Sequence, residues 1–144
     1  MTHRLENKIT LITGGSSGIG RAAALAFAQA GATVVIADID AAGGQETVTM
    51  LQEKGAEALF LQVNVAKAIA VAGMVNHVVE RYGRLDVAVN NAGIEGEPRR
   101  TADVTEADFD QIMAVNVKGV WLCLKHQLPQ MMAQGGGSII NIAT

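Results

Sequence analysis

Short apolar runs alternate with segments of helical hydrophobic period along the whole chain. Residues 8–13 (KITLIT) form the first short run, with Ile9, Leu11 and Ile12 as its apolar positions. A glycine-rich turn follows, and then Ile19, Ala22, Ala23, Ala26 and Phe27 recur at helical spacing. This pattern predicts a strand over 8–13 and a helix from about 18 to 30, with Gly31 placed to end the helix in the left-handed conformation. The alternation continues with strands over 33–37, 58–63 and 85–89 and helices over 42–54 and 67–81. A longer helix is predicted from about 105 to 132, opened by Thr105-Glu106-Ala107-Asp108 with an acid at the capping-box position. Pro129 is expected to kink that helix or cut it short. Gly135-Gly136-Gly137 then breaks the chain before a last strand over 138–143 (SIINIA). Such alternation means an α/β fold, a doubly wound parallel sheet with helices on both faces. The expected strand order is 3-2-1-4-5.

Composition narrows the picture. The chain has 144 residues, one domain's worth against a prior of roughly 150 per domain, so residues 1–144 are read as a single domain. Apolar residues make up 49%, too many for a disordered segment. Aromatics are only 3%, so the core must be built from Ala, Val, Ile, Leu and Met. The formal charge is −3 and the basic residues cluster nowhere beyond Arg99-Arg100, which disfavours nucleic acid or an anionic membrane as partner. No apolar stretch approaches the ~20 residues that span a bilayer. The lone Cys123 has no Cys or His at metal-ligand spacing, so zinc, iron–sulfur and disulfide-scaffold readings fall together. With no signal-peptide pattern after Met1, a cytoplasmic protein is expected. Thr144 follows the fifth strand directly, leaving an apolar edge that folded proteins usually cover; the sequence is expected to be the front part of something larger.

The candidate chemistry lies between the first strand and first helix. In Thr13-Gly14-Gly15-Ser16-Ser17-Gly18-Ile19-Gly20, glycines would let the backbone turn sharply, approach a pyrophosphate closely and pack the helix on the strand. Phosphates would meet the N–H groups and positive dipole end of the helix starting near Gly18. A nucleoside-triphosphate loop shares this geometry but needs Lys-Ser/Thr after its last glycine, where Arg21-Ala22 stand. A glycine-rich turn without a ligand is the plain alternative. Asp38, with Ile39 beside it, ends the second strand at about the distance where an acid accepts hydrogen bonds from an adenosine ribose, ~20 residues on. A carboxylate there repels a 2′-phosphate, and Ser16 and Ser17 are neutral, so NAD is favoured over NADP. Asp38 as a simple surface or capping residue, and Asp40 as a helix start, stay open.

Thr13, Gly14, Gly18 and Gly20 with Asn90-Asn91-Ala92-Gly93 after the fourth strand resemble the short-chain dehydrogenase/reductase family. Asp38, Asn64-Val65, Asn116 and the 138–144 strand extend the resemblance over the whole chain. It implies an NAD-dependent oxidoreductase moving hydride between nicotinamide and an alcohol or carbonyl substrate. By the resemblance, Asn90 to Gly93 stabilise the central strand and contact the cofactor riboses; an Asx-type turn without a ligand is the alternative. Asn64, where the family commonly has an acid, would accept from the adenine amino group, and Val65 would line the adenine pocket.

Asn116 lies in the apolar row Phe109, Ile112, Met113, Val117, Val120, Leu124 of the long helix, where a buried amide needs partners. The resemblance assigns it to the catalytic tetrad, holding a water of the proton relay; a satisfied core amide is the alternative. Thr144 stands at the family's catalytic serine and keeps the hydroxyl, although its methyl stiffens χ1. The family's Tyr-x-x-x-Lys pair is missing. The single tyrosine, Tyr82, is followed four residues later by Asp86, which would raise a phenol's pKa, and is read as a packing residue. His3, His77 and His126 fall at no strand end, and Cys123 is read as core. Val120 to Leu124 are apolar nearly all round the helix, and the resemblance implies that family members pair it across a dimer, so a homo-oligomer through 105–132 is expected. The rival readings are a non-catalytic NAD-binding module and a truncated product without turnover.

Overall fold

The computed structural model describes residues 4–143. Its elements are β1 (Ile9–Thr13), α1 (Gly18–Gln29), β2 (Thr33–Asp38), α2 (Ala41–Glu53), β3 (Ala58–Gln62), α3 (Ala68–Tyr82), β4 (Val87–Asn90), α4 (Glu106–Met113), α5 (Gly119–Ala133) and β5 (Ser138–Asn141). The strands are all parallel in the order β3-β2-β1-β4-β5, the doubly wound arrangement that the alternation predicts.

Residue alternation along each strand divides the core between the two faces of the sheet. Leu11, Val35, Ala37 and Ala88 point to the side covered by α3 and α5, where they meet Val71, Met74, Val78, Leu122 and Cys123. Ile12, Val34, Ile36 and Val89 point to the side covered by α1 and α2, against Ala24, Val48 and Leu51. Burying a Val, Leu or Ile side chain contributes ~1.5–3 kcal/mol, and β1, buried along its full length, anchors both layers. β3 and β5 form the two edges. Asp86 precedes β4 and fixes the start of β1: its Oδ2 accepts from the Ile9 N–H (2.9 Å), while Arg84 Nε and Nη2 grip the carboxylate.

The long helix departs from expectation. Residues 105–132 do not form one α-helix, because a π-helical turn, Ala114–Lys118, joins α4 to α5. Pro129 lies inside α5, which runs on to Ala133 instead of being cut short. The row that sequence periodicity turns toward the core also faces differently. Phe109, Met113 and Val117 are exposed, as are Trp121, Leu128 and Met132. The inner side belongs to Val115, Leu122, Cys123, Gln127 and Met131. The helix is apolar on two sides and the sheet can cover only one. No helix among the described residues is long and apolar enough to cross a membrane.

Candidate active site

The site begins where β1 ends. Gly14 turns the chain at φ 69°, and a Cβ there would lie 2.8 Å from Asn91 Nδ2 and 2.9 Å from Ala92 Cα. A Cβ on Gly20 would fall 2.1 Å from the Gly14 carbonyl oxygen. Both glycines are therefore required by backbone packing. Gly18 differs, for it has φ 52° and nothing within 4 Å of a built Cβ, so the space in front of it is open. Ser17 at the N-cap of α1 makes no side-chain capping bond, which leaves the first N–H groups of the helix without a side-chain acceptor and suited to an anion.

Asp38, at the end of β2, is half-buried beside this loop. Its Oδ2 accepts from the Ser16 N–H (3.1 Å) and its Oδ1 from the Asp40 N–H (3.0 Å). Asp40 is the N-cap of α2, accepting from the Gly43 N–H at 3.0 Å. Across the sheet, Thr13 Oγ1 accepts from the N–H groups of both Asn91 and Ala92 at 3.1 Å, and Asn91 Nδ2 donates to the Thr13 and Gly14 carbonyls at 3.2 Å. The segment after β4 is thus tied to the glycine loop.

A cavity of about 520 Å³ lies over these strand ends, lined by Gly14, Ser16, Ser17, Gly18, Ile19, Asp38, Ile39, Asn64, Val65, Ala92 and Gly93. Asn91, Ile94, Glu95, Gln111 and Val115 complete the wall; the last four carry no local motif, and only the fold brings them here. Three of the predicted cofactor-binding residues lie off the lining. Thr13 is buried behind the loop and Gly20 is packed against Gly14. Asn90 is turned into the core, where it exchanges hydrogen bonds with Gln127 (3.0 and 2.8 Å) and donates to Asn141 Oδ1 (3.0 Å). Its side chain braces β4, β5 and α5 instead of facing the cavity. Gln127 is fully buried and was missing from the sequence-based candidates, since a lone glutamine in a helix carries no pattern of its own.

Asn64 Oδ1 accepts from the Ala66 N–H (3.0 Å). Val65 packs against the start of α5, where a Cβ on Gly119 would come within 2.8 Å of Val65 Cγ2. Asn116 sits in the π turn, half-buried, and both ends of its carboxamide bond the peptide groups of Ile94: Oδ1 accepts from its N–H and Nδ2 donates to its carbonyl, each at 2.8 Å. It anchors the loop that walls the cavity. Thr144 and His3 lie outside the described residues. A larger cavity of about 860 Å³ opens at the opposite end of the sheet. Its walls are mainly Ala and Gly with Lys54 and Glu57; the glycine turn and the carboxylate held by backbone N–H groups both lie at the strand-end cavity instead.

The remaining titratable candidates stay away from it. Tyr82 ends α3, and burial, followed by the Glu57 carboxylate, raises its phenol pKa. The acid beside it is Glu57 and not Asp86, whose carboxylate is turned to Arg84. Burial pushes the Cys123 thiol up to about 12, which makes it inert core.

The short chain dehydrogenase family profile matches residues 8–144. The chain belongs to that family. It is 46% identical over 139 residues to an uncharacterized oxidoreductase of Thermotoga maritima, covering 96% of this chain and 54% of the relative. The crystal structure of a levodione reductase superposes with TM-score 0.95 at 37% identity, covering 98% of this chain and 55% of that one. That of an NAD+-bound xylitol dehydrogenase gives TM-score 0.95 at 33% identity, covering 98% and 54%. The chain spans about half the length of these proteins.

Proposed function

We propose that this short-chain dehydrogenase chain is the NAD-binding part of an oxidoreductase acting on an alcohol or carbonyl substrate. The observation that carries the reading is the Asp38 carboxylate, fixed by backbone N–H groups at the rim of a cavity floored by the glycine loop. When bound, the nicotinamide would accept or deliver the hydride. The uncapped N–H groups of α1 would hold the diphosphate, and the open space before Gly18 gives it room. Asp38 would accept both hydroxyls of the adenosine ribose. The flanking residues Ser16, Ser17 and Ile39 bring no cation to a 2′-phosphate, which favours NAD over NADP. Ile39 and Val65 would flank the adenine, with Asn64 at its edge. Ala92 and Gly93 would lie under the second ribose, and Asn91 and Thr13 would hold them there. The NAD+-bound state of the xylitol dehydrogenase neighbour supports this reading.

Asn116 would act through the Ile94 loop that it clamps, and the Thr144 hydroxyl would meet the substrate oxygen. Tyr82, with its raised phenol pKa and its place at the end of α3, is no proton donor for this cavity. By the family resemblance that role would fall to a Tyr-x-x-x-Lys pair, which residues 1–144 do not contain. The exposed row Phe109, Met113, Val117, Trp121, Leu128 and Met132 supports a homo-oligomer paired through α4 and α5, and the buried lone thiol suits a cytoplasmic setting.

Fluorescence titration with NADH and NADPH tests the cofactor reading. NADH is expected to bind more tightly, and Asp38→Ala should weaken NADH by about tenfold, the size of one charge-assisted hydrogen bond, while relieving discrimination against NADPH. Unchanged selectivity in that variant would overturn it.

A further inference from the structure

The hydrogen bonds around the cavity rim close into a ring, and Arg21 closes it. Arg21 follows Gly20 on α1 and reaches across to α2. Its Nε donates to Thr47 Oγ1 at 2.9 Å. Its Nη2 donates to the carbonyl of Ser16, to that of Gly43 (3.3 Å) and to Glu46 Oε2 (3.1 Å). Thr47 is fully buried, and its hydroxyl has the Gly15 carbonyl at 2.9 Å and the Gly43 carbonyl at 3.1 Å to donate to. From Ser16 the ring runs through its N–H to Asp38 Oδ2, from Asp38 Oδ1 to the Asp40 N–H, and from Asp40 Oδ1 to the Gly43 N–H. Gly43 leads back to Arg21. The glycine loop and the rim carboxylate are thus held in one frame through the first turn of α2.

An exposed ion pair contributes little by itself, and Glu46 is largely exposed. The weight of Arg21 lies in its other bonds, to two backbone carbonyls and a buried hydroxyl, which need the planar fork of a guanidinium more than its charge. Those bonds also keep the cation occupied. Its donors are aimed at Ser16, Gly43 and Thr47, so that Arg21 touches the residue whose N–H holds Asp38.

We propose that Arg21 is a positioning residue for dinucleotide selectivity: by holding Ser16 against α2 it keeps the Ser16 N–H on Asp38, and so keeps that carboxylate turned to the ribose. The proposal rests on the assignment of Asp38 given above. Its test is a double-mutant cycle on the chain, reading NADH and NADPH dissociation constants by fluorescence titration, with thermal melting of each variant in parallel. Arg21→Met should weaken NADH about tenfold, the size expected for charge-assisted hydrogen bonds, and narrow the preference over NADPH. In the Asp38→Ala background the same substitution should have little further effect, because its influence passes through Asp38. Arg21→Lys, which keeps the charge and loses the fork, should behave like Arg21→Met, and replaces it in the cycle if the methionine variant does not fold. Additive losses in the double variant, equal weakening of NADH and NADPH, or full retention of selectivity by Arg21→Lys would each overturn the role of Arg21 while leaving Asp38 in place. An Asp38→Ala variant with unchanged affinity and selectivity would instead overturn both.

Discussion

The two flanks of the sheet are built on different principles. Around β1, α1, β2 and α2, short polar side chains and backbone groups bond one another at close range, Gly14 and Gly20 let backbones touch, and Gly15 makes room for the Ile36 side chain. Around α4, α5 and β5, the surface carries Phe109, Trp121, Leu128, Met132, Ile140 and Ile142 exposed to water, and the polar contacts beneath it are carboxamide clamps: the Asn90–Gln127–Asn141 group, Asn116 on the Ile94 peptide and Gln134 on the Leu85 peptide. The first flank is laced together by polar bonds; the second leaves an apolar helix face exposed. Directional bonds at close range fix the first flank, whereas on the second the sheet covers only one of two apolar helix sides.

This contrast can be broken at several points. The largest effect is expected from Gly20→Val, whose Cβ would overlap the Gly14 carbonyl oxygen. Such a clash cannot relax against backbone, and a loss of about 4 kcal/mol or more in denaturant unfolding, together with loss of NADH binding, is expected. Retention of both would show that the loop is looser than its geometry. Gln127→Leu comes next. It leaves the Asn90 carboxamide buried without its reciprocal partner, and chemical denaturation should show a loss of ~1–3 kcal/mol; a neutral result would mean that water replaces the glutamine.

Acidification sharpens the comparison from the base of the sheet. Burial of Asp86 opposes ionisation, but the Arg84 hydrogen bonds, the Ile9 N–H and the nearby cations outweigh it and hold its carboxyl below the usual carboxylate range. Its contribution to stability is therefore complete above the unfolded value, about pH 4, and is lost as pH falls from there through the lower folded value. Asp86→Asn should flatten that acid limb in a stability–pH profile while lowering stability at neutral pH, and an unchanged limb would remove Asp86 from the account. The smallest effect on folding belongs to Trp121→Glu, an exposed change expected within about ±0.5 kcal/mol. Its consequence should instead appear in sedimentation, as a shift toward monomer; a variant that associates as the parent does would separate this row from the oligomer interface.

Much of this was legible in advance, and unevenly. The parallel, doubly wound winding follows from alternation, because a strand buried on both faces reads as a continuous apolar run and its crossover helix reads at helical period; the order β3-β2-β1-β4-β5 is one of the orders such winding allows. The glycine turn is legible because its geometry is local, spacing in sequence being spacing in space over a single turn, and Asp38 is legible from its place at the end of the second strand, although it meets Ser16 across 22 residues. Asp40 likewise caps α2 as its position beside the helix suggested. Asn90 shows the limit. Its place at a strand end pointed to the cavity, but a strand residue faces one side or the other by its register, and Asn90 faces Gln127. The row from Phe109 to Leu124 was turned inward by the same reasoning that succeeded for α1, and it lies partly outward because the helix has two apolar sides.

The amino-acid order by itself determined the elements, their parallel winding and the glycine turn, since each depends on residues within a turn or two of one another or on a period repeated along one element. Tertiary structure alone decided the rest: that Arg21 reaches α2, that Asn116 spends both ends of its amide on the Ile94 peptide, that Asn90 turns away from the cavity, and which side of α5 meets the sheet. These are contacts between segments far apart in the chain, chosen by how the layers close against one another, and no local pattern encodes that choice.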